Sequence, residues 1–240
     1  MSIRKWLGLK RKKAVTYRYD QDGLKSIHNC DFMDDPAFAD AYRAGAETGA
    51  WGKSRVHWRV HVVLWAAARG RGLQGDFVEC GVHKGGTAHA VIRALDFAKQ
   101  PRKFYLFDTF AGFDEKTLTE RERQRALYKN EYESDVYEEV RKRFSVYPNV
   151  EIVRGPVPDT LADVEIDRVA YLSIDMNTVV PEIAAAEHFW PKLVSGATVV
   201  LDDYGWPGHE EQKAAFDGFA AERGVPLLRL PTGQAVMIKP

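Results

Sequence analysis

Acidic residues and glycines recur at the carboxyl ends of the buried strands that the sequence predicts. Five segments carry them, in the order Glu79 with Gly81, Asp108, Gly155, Asp175, and Asp202 with Asp203. The carboxyl ends of the strands of an open α/β sheet line one crevice, where ligands bind. A single Asp after a strand is usually a turn former or a helix cap, but five independent strands favour a ligand crevice.

A glycine turn lies in the stretch from Gly75 to Thr87, which reads as a buried strand, a turn and a helix. Such a turn presents backbone N–H groups to a ligand. Gly81 and Gly85 allow close approach to the backbone, and Thr87 begins the helix with an available hydroxyl. The spacing is G-x-x-x-G-G, not the G-x-G-x-x-G of dinucleotide-binding proteins, so it favours another nucleoside ligand over NAD. An ordinary tight βα turn is the alternative.

Asp108 ends the second predicted strand. A carboxylate there can accept hydrogen bonds from both hydroxyls of a ribose. The chain has no basic phosphate cradle of the G-K-[ST] type, so the ligand need not carry phosphates. A nucleoside with an amino-acid tail fits this pattern better than ATP or NAD, and we place Phe110, in the same segment, among the candidate cofactor-binding residues.

Asp175, Asp202 and Asp203 form a second group of candidates. Three carboxylates at adjacent strand ends repel one another unless a cation or protons intervene. Hard oxygen ligands suit Mg²⁺ or Ca²⁺, not zinc. We predict a metal site, with the alternative that one of Asp202 and Asp203 points into the turn.

The elements that position these residues alternate between strand and helix, which is typical of a parallel α/β sheet. The predicted strands are 76–82, 103–108, 150–154, 169–175 and 197–203, and the predicted helices are 86–98, 181–193 and 210–223. A long charged helical region over 115–146 lies between the second and third strands. Residues 227–238 predict a terminal hairpin and not another βα unit.

The residues before the first strand are predicted to be helical. One helix starts at Pro36 behind an aspartate cap, and a second starts after Ser54. We expect this part to fold over the sheet edge as a lid. The chain is therefore divided into a helical N-terminal extension, 1–74, with a basic tail, and an α/β domain, 75–240.

The length and composition of the chain limit the classes of protein to which it can belong. A chain of 240 residues is long enough for one α/β domain with a large core. Its 34 basic and 34 acidic residues balance, which argues against a nucleic-acid partner bound by bulk electrostatics. Cys80 falls in a predicted buried strand, so we expect no disulfide and a cytoplasmic location. No apolar run reaches membrane-spanning length, and the basic run 1–13 reads as a solvated tail.

Five segments resemble the macrocin O-methyltransferase family. They are Phe-Val-Glu-Cys-Gly-Val-His-Lys-Gly-Gly-Thr (77–87), Tyr-Leu-Phe-Asp-Thr-Phe-Ala-Gly-Phe (105–113), Leu-Ser-Ile-Asp-Met-Asn (172–177), Val-Val-Leu-Asp-Asp-Tyr-Gly (199–205) and Pro-Thr-Gly-Gln-Ala (231–235). The resemblance covers about residues 75–240. Members of this family are class I S-adenosylmethionine-dependent enzymes that methylate sugar hydroxyls of bacterial natural products.

The resemblance implies a Rossmann-like, mostly parallel seven-stranded sheet whose last strand is antiparallel. It also implies a homo-oligomer. The residues it assigns to S-adenosylmethionine are Glu79, Gly81, Thr87 and Asp108, with Gly155 near the adenine, and those it assigns to Mg²⁺ are Asp175, Asp202 and Asp203. One segment departs from the family pattern: after the fourth strand the family usually reads Asp-Gly-Asp-Leu-Tyr, but this chain reads Asp-Met-Asn-Thr-Val from Asp175 to Val179. The acceptor pocket is therefore expected to differ.

The predicted function is Mg²⁺-dependent transfer of a methyl group from S-adenosylmethionine to a hydroxylated small molecule, a sugar or a glycosylated compound. Asp175 is the predicted metal ligand and catalytic base. A carboxylate bound to a metal is a poor base, so a histidine remains the alternative, from the set His57, His61, His83 and His209.

Three other functions compete with this one. A catechol or phenol acceptor suits Mg²⁺ as well as a sugar does. A nicotinamide-dependent dehydrogenase is disfavoured by the glycine spacing and by the terminal hairpin. A non-catalytic domain that only binds the cofactor is disfavoured by the three clustered aspartates.

Overall fold

The computed structural model describes residues 15–125 and 134–240, and every structural statement below concerns that part of the chain. Its strands are β1 (Tyr19–Gln21), β2 (Leu24–Ser26), β3 (Asp76–Cys80), β4 (Phe104–Asp108), β5 (Val150–Arg154), β6 (Val169–Ile174), β7 (Leu193–Leu201), β8 (Leu228–Arg229) and β9 (Ala235–Ile238). Its α-helices are α1 (Pro36–Ala46), α2 (His57–Arg71), α3 (Gly86–Leu95), α4 (Glu120–Arg125), α5 (Tyr137–Phe144), α6 (Val179–Phe189) and α7 (Glu210–Glu222).

A seven-stranded sheet with the order β5-β4-β3-β6-β7-β9-β8 forms the centre of the molecule. The strands from β5 to β7 pair in parallel, and β9 runs antiparallel to both of its neighbours. This arrangement confirms the predicted sheet and its antiparallel last strand. Cys80 lies opposite Phe107 and Ile174, and Ile174 lies opposite Leu201. The residues that follow these strand ends, Gly81, Asp108, Asp175 and Asp202, therefore fall along one edge.

Helices cover both faces of the sheet, because successive side chains of a strand point to opposite faces. On one face Val78 and Leu172 belong to a buried cluster with Ala185 and Phe189 of α6 and Phe216 of α7. On the other face, the helices that contribute to the core are α2, α3 and α5. The result is a three-layer arrangement with the site at the carboxyl edge of the middle layer.

Helix α2 belongs to one of these core layers. Its Ala66 and Ala67 are fully buried, and they share a cluster with Phe77 and Tyr171 of the sheet. The core therefore contains residues from before and after position 74. The division of the chain into two parts at that position stays a prediction.

The N-terminal region contains a β-hairpin, β1–β2, that the prediction of an all-helical extension missed. Its turn is the pair Asp22-Gly23, both with positive φ, which is a strong sequence signal for a two-residue hairpin loop. Helix α1 starts at Pro36 behind Asp35, as predicted. Helix α2 starts at His57 with no side-chain cap, so the expected cap at Ser54 was wrong.

The charged helical region predicted over 115–146 is only partly helical within the described residues. The described part of this region contains only the short helices α4 and α5. Thr119 and Glu122 bond to each other's backbone N–H groups at 2.8 and 3.2 Å, and this capping box starts a new helix at Glu120. Residues 126–133 and the predicted basic tail, 1–13, lie outside the described residues.

No helix within the described residues is both long enough and apolar enough to cross a lipid bilayer. The two thiols, Cys30 and Cys80, are both buried, and neither forms a disulfide.

Candidate active site

A cleft of about 580 Å³ opens at the carboxyl edge of the sheet, a size typical of small-molecule sites. The predicted site residues that line it are Gly81, Thr87, Asp108, Phe110, Gly155, Asp175 and Asp203. Three others, Glu79, Gly85 and Asp202, lie behind its wall. The fold thus brings the glycine turn and the acidic strand ends together around one space.

The glycine turn fits tightly between neighbouring elements. Gly81 has a φ of 90°, and a Cβ there would overlap the carbonyl oxygen of Asp175. Gly85 has a φ of 81°, and a Cβ there would lie 2.5 Å from the ring of Phe144. Both conformations disfavour residues with a side chain. The Asp175 N–H also donates to the Cys80 carbonyl at 2.8 Å, so the turn is fixed directly against the end of the cleft where the aspartates lie.

Asp108 connects the loops that follow β3 and β4. One carboxylate oxygen accepts hydrogen bonds from the N–H groups of Val82 and His83, at 2.6 and 2.7 Å. The other accepts from the N–H of Phe110 at 2.6 Å. These bonds hold the cofactor half of the cleft in shape, and the predicted contact of Asp108 with a ribose stays a prediction.

Glu79 is only 1% exposed, and it is not among the residues that line the cleft. Burial raises the pKa of its carboxyl well above the usual range; the backbone N–H of Ala88 opposes this rise, and the charge of Asp108 adds to it. Its Oε2 has no hydrogen-bond partner among the described residues. Glu79 therefore supports the start of α3, and its contact with a cofactor also stays a prediction.

The three aspartates converge at the other end of the cleft. One carboxylate oxygen from each of Asp175, Asp202 and Asp203 lies within 4.8 Å of the others. Burial first, and then the charges of the neighbouring carboxylates, raise the pKa of Asp175 well above its usual value and that of Asp203 to about 7. Within the described chain, the buried Oδ2 of Asp203 has no partner. Oxygen ligands that crowd and repel one another in this way fit a hard divalent cation.

Asp202 already has two partners. The guanidinium of Arg59 donates to its Oδ2 at 2.7 Å, and the amide of Gln234 donates to its Oδ1 at 2.7 Å. Arg59 is 143 positions away from Asp202 in the chain, and sequence reasoning missed it because no local pattern links the two. Gln234 lies in the Pro-Thr-Gly-Gln-Ala segment, which sequence reasoning used for a hairpin turn and for the family resemblance but did not assign to the site.

A buried carboxylate supports the loop that follows β6. Glu182 of α6 accepts hydrogen bonds from the N–H of Met176 and the side-chain amide of Gln212, both at 3.1 Å. Asn177, in the same loop, has a φ of 61° and lines the cleft. His209 extends the network through a 2.6 Å contact with Gln212. Sequence reasoning missed Glu182, which looked like an ordinary polar residue in the first turn of the helix predicted to begin at Pro181.

An aromatic group forms the wall opposite the sheet. Trp51 packs closely against Gly86 at the start of α3, where a Cβ would lie 2.9 Å from the indole nitrogen. Tyr42 lies 5.2 Å from Trp51 and stacks on His57 at 4.0 Å, measured between ring centroids. The loop that carries Trp51 is therefore held over the glycine turn.

The four candidate histidines occupy different places. His83 lines the cleft. His57 and His61 lie within the aromatic cluster of the N-terminal helices, and His209 belongs to the network of Gln212 and Glu182. Burial lowers the pKa of all four, and a neutral imidazole can accept a proton.

Solved structures share this fold. The O-methyltransferase NovP matches with a TM-score of 0.70 and 22% identity over 88% of this chain and 99% of NovP. The calicheamicin methyltransferase CalS11 matches with a TM-score of 0.62 and 17% identity over 94% of this chain and 99% of CalS11. The fold is that of the class I methyltransferases.

The chain belongs to the macrocin O-methyltransferase (TylF) family, whose model matches residues 44–229. This membership confirms the family resemblance, and four of the five sequence segments lie within the matched residues. Similar proteins include a tetracenomycin-C 4'-O-methyltransferase of Streptomyces olivaceus, 29% identical over 55% of this chain and 54% of the relative. Another is the mycinamicin III 3''-O-methyltransferase of Micromonospora griseorubida, 26% identical over 58% of this chain and 59% of the relative. The chain thus spans a little over half the length of the curated relatives it matches.

Proposed function

We propose that this protein is an S-adenosylmethionine-dependent O-methyltransferase that acts on a hydroxyl of a sugar or a glycosylated small molecule. The observation that carries the proposal is a single cleft with a glycine turn at one end and three converging carboxylates at the other. The matched relatives are named as O-methyltransferases, and the name of the first one specifies a rhamnosyl-tetracenomycin C. Two solved neighbours, from Bacillus cereus and Podospora anserina, contain S-adenosylhomocysteine.

The cofactor half of the cleft is assigned to the glycine turn and the neighbouring strand ends. The residues proposed to hold S-adenosylmethionine are Glu79, Gly81, Gly85, Thr87, Asp108, Phe110 and Gly155. The cofactor supplies an electrophilic methyl group. The backbone of the turn and the hydroxyl of Thr87 face the cleft, while Glu79 and Gly85 act from behind it by fixing the turn.

The metal half is assigned to Asp175, Asp202 and Asp203, which would hold Mg²⁺. When bound, the metal would orient a neighbouring acceptor hydroxyl and lower the pKa of that hydroxyl. Asp175 lies where the two halves meet, so it is placed to position the acceptor and to take the proton that the hydroxyl loses. His83 is the alternative base, because it lines the cleft beside the glycine turn.

The acceptor pocket is assigned to the loop after β6. Met176, Asn177 and Thr178 line the cleft next to the aspartates, and they stand where the family usually has Gly, Asp and Leu. An amide replaces a carboxylate at Asn177, so this pocket offers a hydrogen-bond donor as well as an acceptor. The proposed homo-oligomer and cytoplasmic location rest on the family resemblance and on cysteine usage.

Calorimetric titration with S-adenosylhomocysteine tests the proposal. We expect binding of S-adenosylhomocysteine with and without Mg²⁺, and no binding of NAD. A screen of hydroxylated sugars against catechols then identifies the acceptor class. A preference for NAD, or no binding of S-adenosylhomocysteine, would overturn the proposed activity.

A further inference from the structure

One guanidinium joins the metal half of the cleft to the N-terminal hairpin. Arg59 of α2 donates from Nη1 to Oδ2 of Asp202 at 2.7 Å. Its Nε and Nη2 donate to the two carboxylate oxygens of Asp22 at 2.8 and 3.1 Å. The side chains of both aspartates are 10% exposed and that of Arg59 is 23% exposed. The pairs are thus well shielded from water. Charges in such a shielded position interact more strongly than charges at the surface.

The surroundings hold the guanidinium in this place. The ring of Trp206 lies 5.4 Å from it, within the range of a cation–π contact. Trp206 also packs beneath the hairpin turn, close to Gly23. Arg59 therefore has a bidentate partner and an aromatic partner of its own, in addition to its bond with Asp202.

We infer that Arg59 is an internal counter-cation that sets the affinity of the aspartate cluster for a divalent cation, and that Asp22 adjusts its strength. This inference rests on the proposed metal site. The charge of Arg59 repels an incoming cation, and its N–H occupies one oxygen of Asp202. Asp22 offsets that charge and attracts the guanidinium towards the hairpin. The carboxylate of Asp202 is then more available to bind a cation.

The hairpin is then a functional part of the metal half. Asp22 lies outside the residues that match the family model, 44–229. A bound cation would weaken the ion pair between Asp202 and Arg59, and the guanidinium would then pair mainly with Asp22. Coupling between two binding events is reciprocal. The ion pair that holds the hairpin β1–β2 against Arg59 therefore favours binding of the cation, and binding of the cation favours that ion pair.

The test measures Mn²⁺ binding to the full chain by electron paramagnetic resonance, with two substitutions of opposite expected effect. Arg59→Gln removes the competing charge and is expected to tighten Mn²⁺ binding by about threefold or more. Asp22→Asn leaves Arg59 uncompensated and is expected to weaken binding by a similar factor. Arg55→Gln and Asp20→Asn are matched controls, since they make the same charge changes at exposed positions close by.

The inference predicts changes of opposite sign in the Mn²⁺ affinity of the two variants, whereas general structural damage would weaken Mn²⁺ binding in both. A second measurement is hydrogen exchange of residues 15–26, which Mn²⁺ should slow in the wild-type chain and leave unchanged in Arg59→Gln. If Arg59→Gln fails to fold, the weaker Mn²⁺ binding of Asp22→Asn supports the inference only when Asp20→Asn binds as the wild type does and hydrogen exchange of α3 is unchanged, which separates a charge effect from structural damage. Unchanged binding in Asp22→Asn overturns the inference. Equal Mn²⁺ affinity in all variants overturns this inference alone, whereas no binding to the wild-type chain overturns the proposed metal site as well.

Discussion

Asp175 is the residue at which the two halves of the cleft meet. Its backbone N–H bonds to the end of β3, and its side chain belongs to the aspartate cluster. We predict that Asp175→Asn abolishes methyl transfer, because the variant loses both a metal-ligand charge and a base, while S-adenosylhomocysteine binding stays within about threefold of the wild type. Turnover assays and calorimetry measure the two effects. Full activity in this variant would remove Asp175 from the mechanism.

Glu79 gives a prediction about stability and pH. Burial raises the pKa of its carboxyl in the folded chain above the value of about 4.3 for an unfolded chain. Ionisation therefore costs stability, and this cost grows as the pH rises from about 4.3 towards the folded pKa. Glu79→Gln removes the cost and is expected to raise the free energy of unfolding by about 1–3 kcal/mol at pH 8.

Urea unfolding at pH 5 and pH 8 measures this effect. The gain from Glu79→Gln should be smaller at pH 5, where more of the wild-type carboxyl is protonated. Titrating groups that do not interact with Glu79 are common to both proteins and cancel in the difference; neighbouring Asp108, whose charge acts on Glu79, contributes with the same sign, because it too is relieved when Glu79 loses its charge. A gain of equal size at both values, or a less stable variant at pH 8, would contradict the prediction.

Among the elements, helix α2 lies close enough to the sheet to require a glycine. A Cβ at Gly70 would lie 2.8 Å from the carbonyl oxygen of Ala170 and 3.1 Å from Cβ of Tyr171. Gly70→Ala is expected to reduce the free energy of unfolding by about 1–3 kcal/mol, because the helix must move away from β6. Chemical denaturation measures the change.

Gly218 of α7 is the matched control for this effect. A Cβ there would meet no atom within 4 Å, so Gly218→Ala is expected to stabilise the protein by about 0.5–1 kcal/mol through the higher helix propensity of alanine. Stabilisation by both substitutions would show that α2 has more room above the sheet than its contacts indicate.

For the molecule as a whole, cofactor binding should raise thermal stability. A ligand present at 100 times its Kd stabilises a protein by about 2.7 kcal/mol, which corresponds to a rise in Tm of about 5–10 °C for a chain of this length. We expect this rise with S-adenosylhomocysteine, in the wild type and in Asp175→Asn alike. Differential scanning calorimetry measures it, and a comparable rise with NAD would indicate a different nucleotide specificity.

Much of the sheet could be predicted from the chain itself. The strands are short apolar runs, and each ends at a glycine or an acid, so β3, β4, β5, β6 and β7 were found within a few residues of their observed bounds. Since parallel strands share one carboxyl edge, the predicted convergence of Gly81, Asp108 and Asp175 followed from topology. The predictions that were wrong or only partly right concern the regions with little apolar pattern, 14–74 and 115–146, where the Asp-Gly turn and the capping box decided the structure.

Local pattern therefore determined the type of sheet and which residues stand at its edge. Only the tertiary structure decided what those residues contact. Asp202 meets Arg59 and Gln234, and Met176 meets Glu182, because elements far apart in the chain pack side by side. Hydrogen bonds and ion pairs depend on distances of a few ångströms between such elements, and no periodicity in a sequence records those distances. Local sequence patterns thus specify which residues lie at the cleft, and tertiary packing specifies the hydrogen-bond partners of its aspartates.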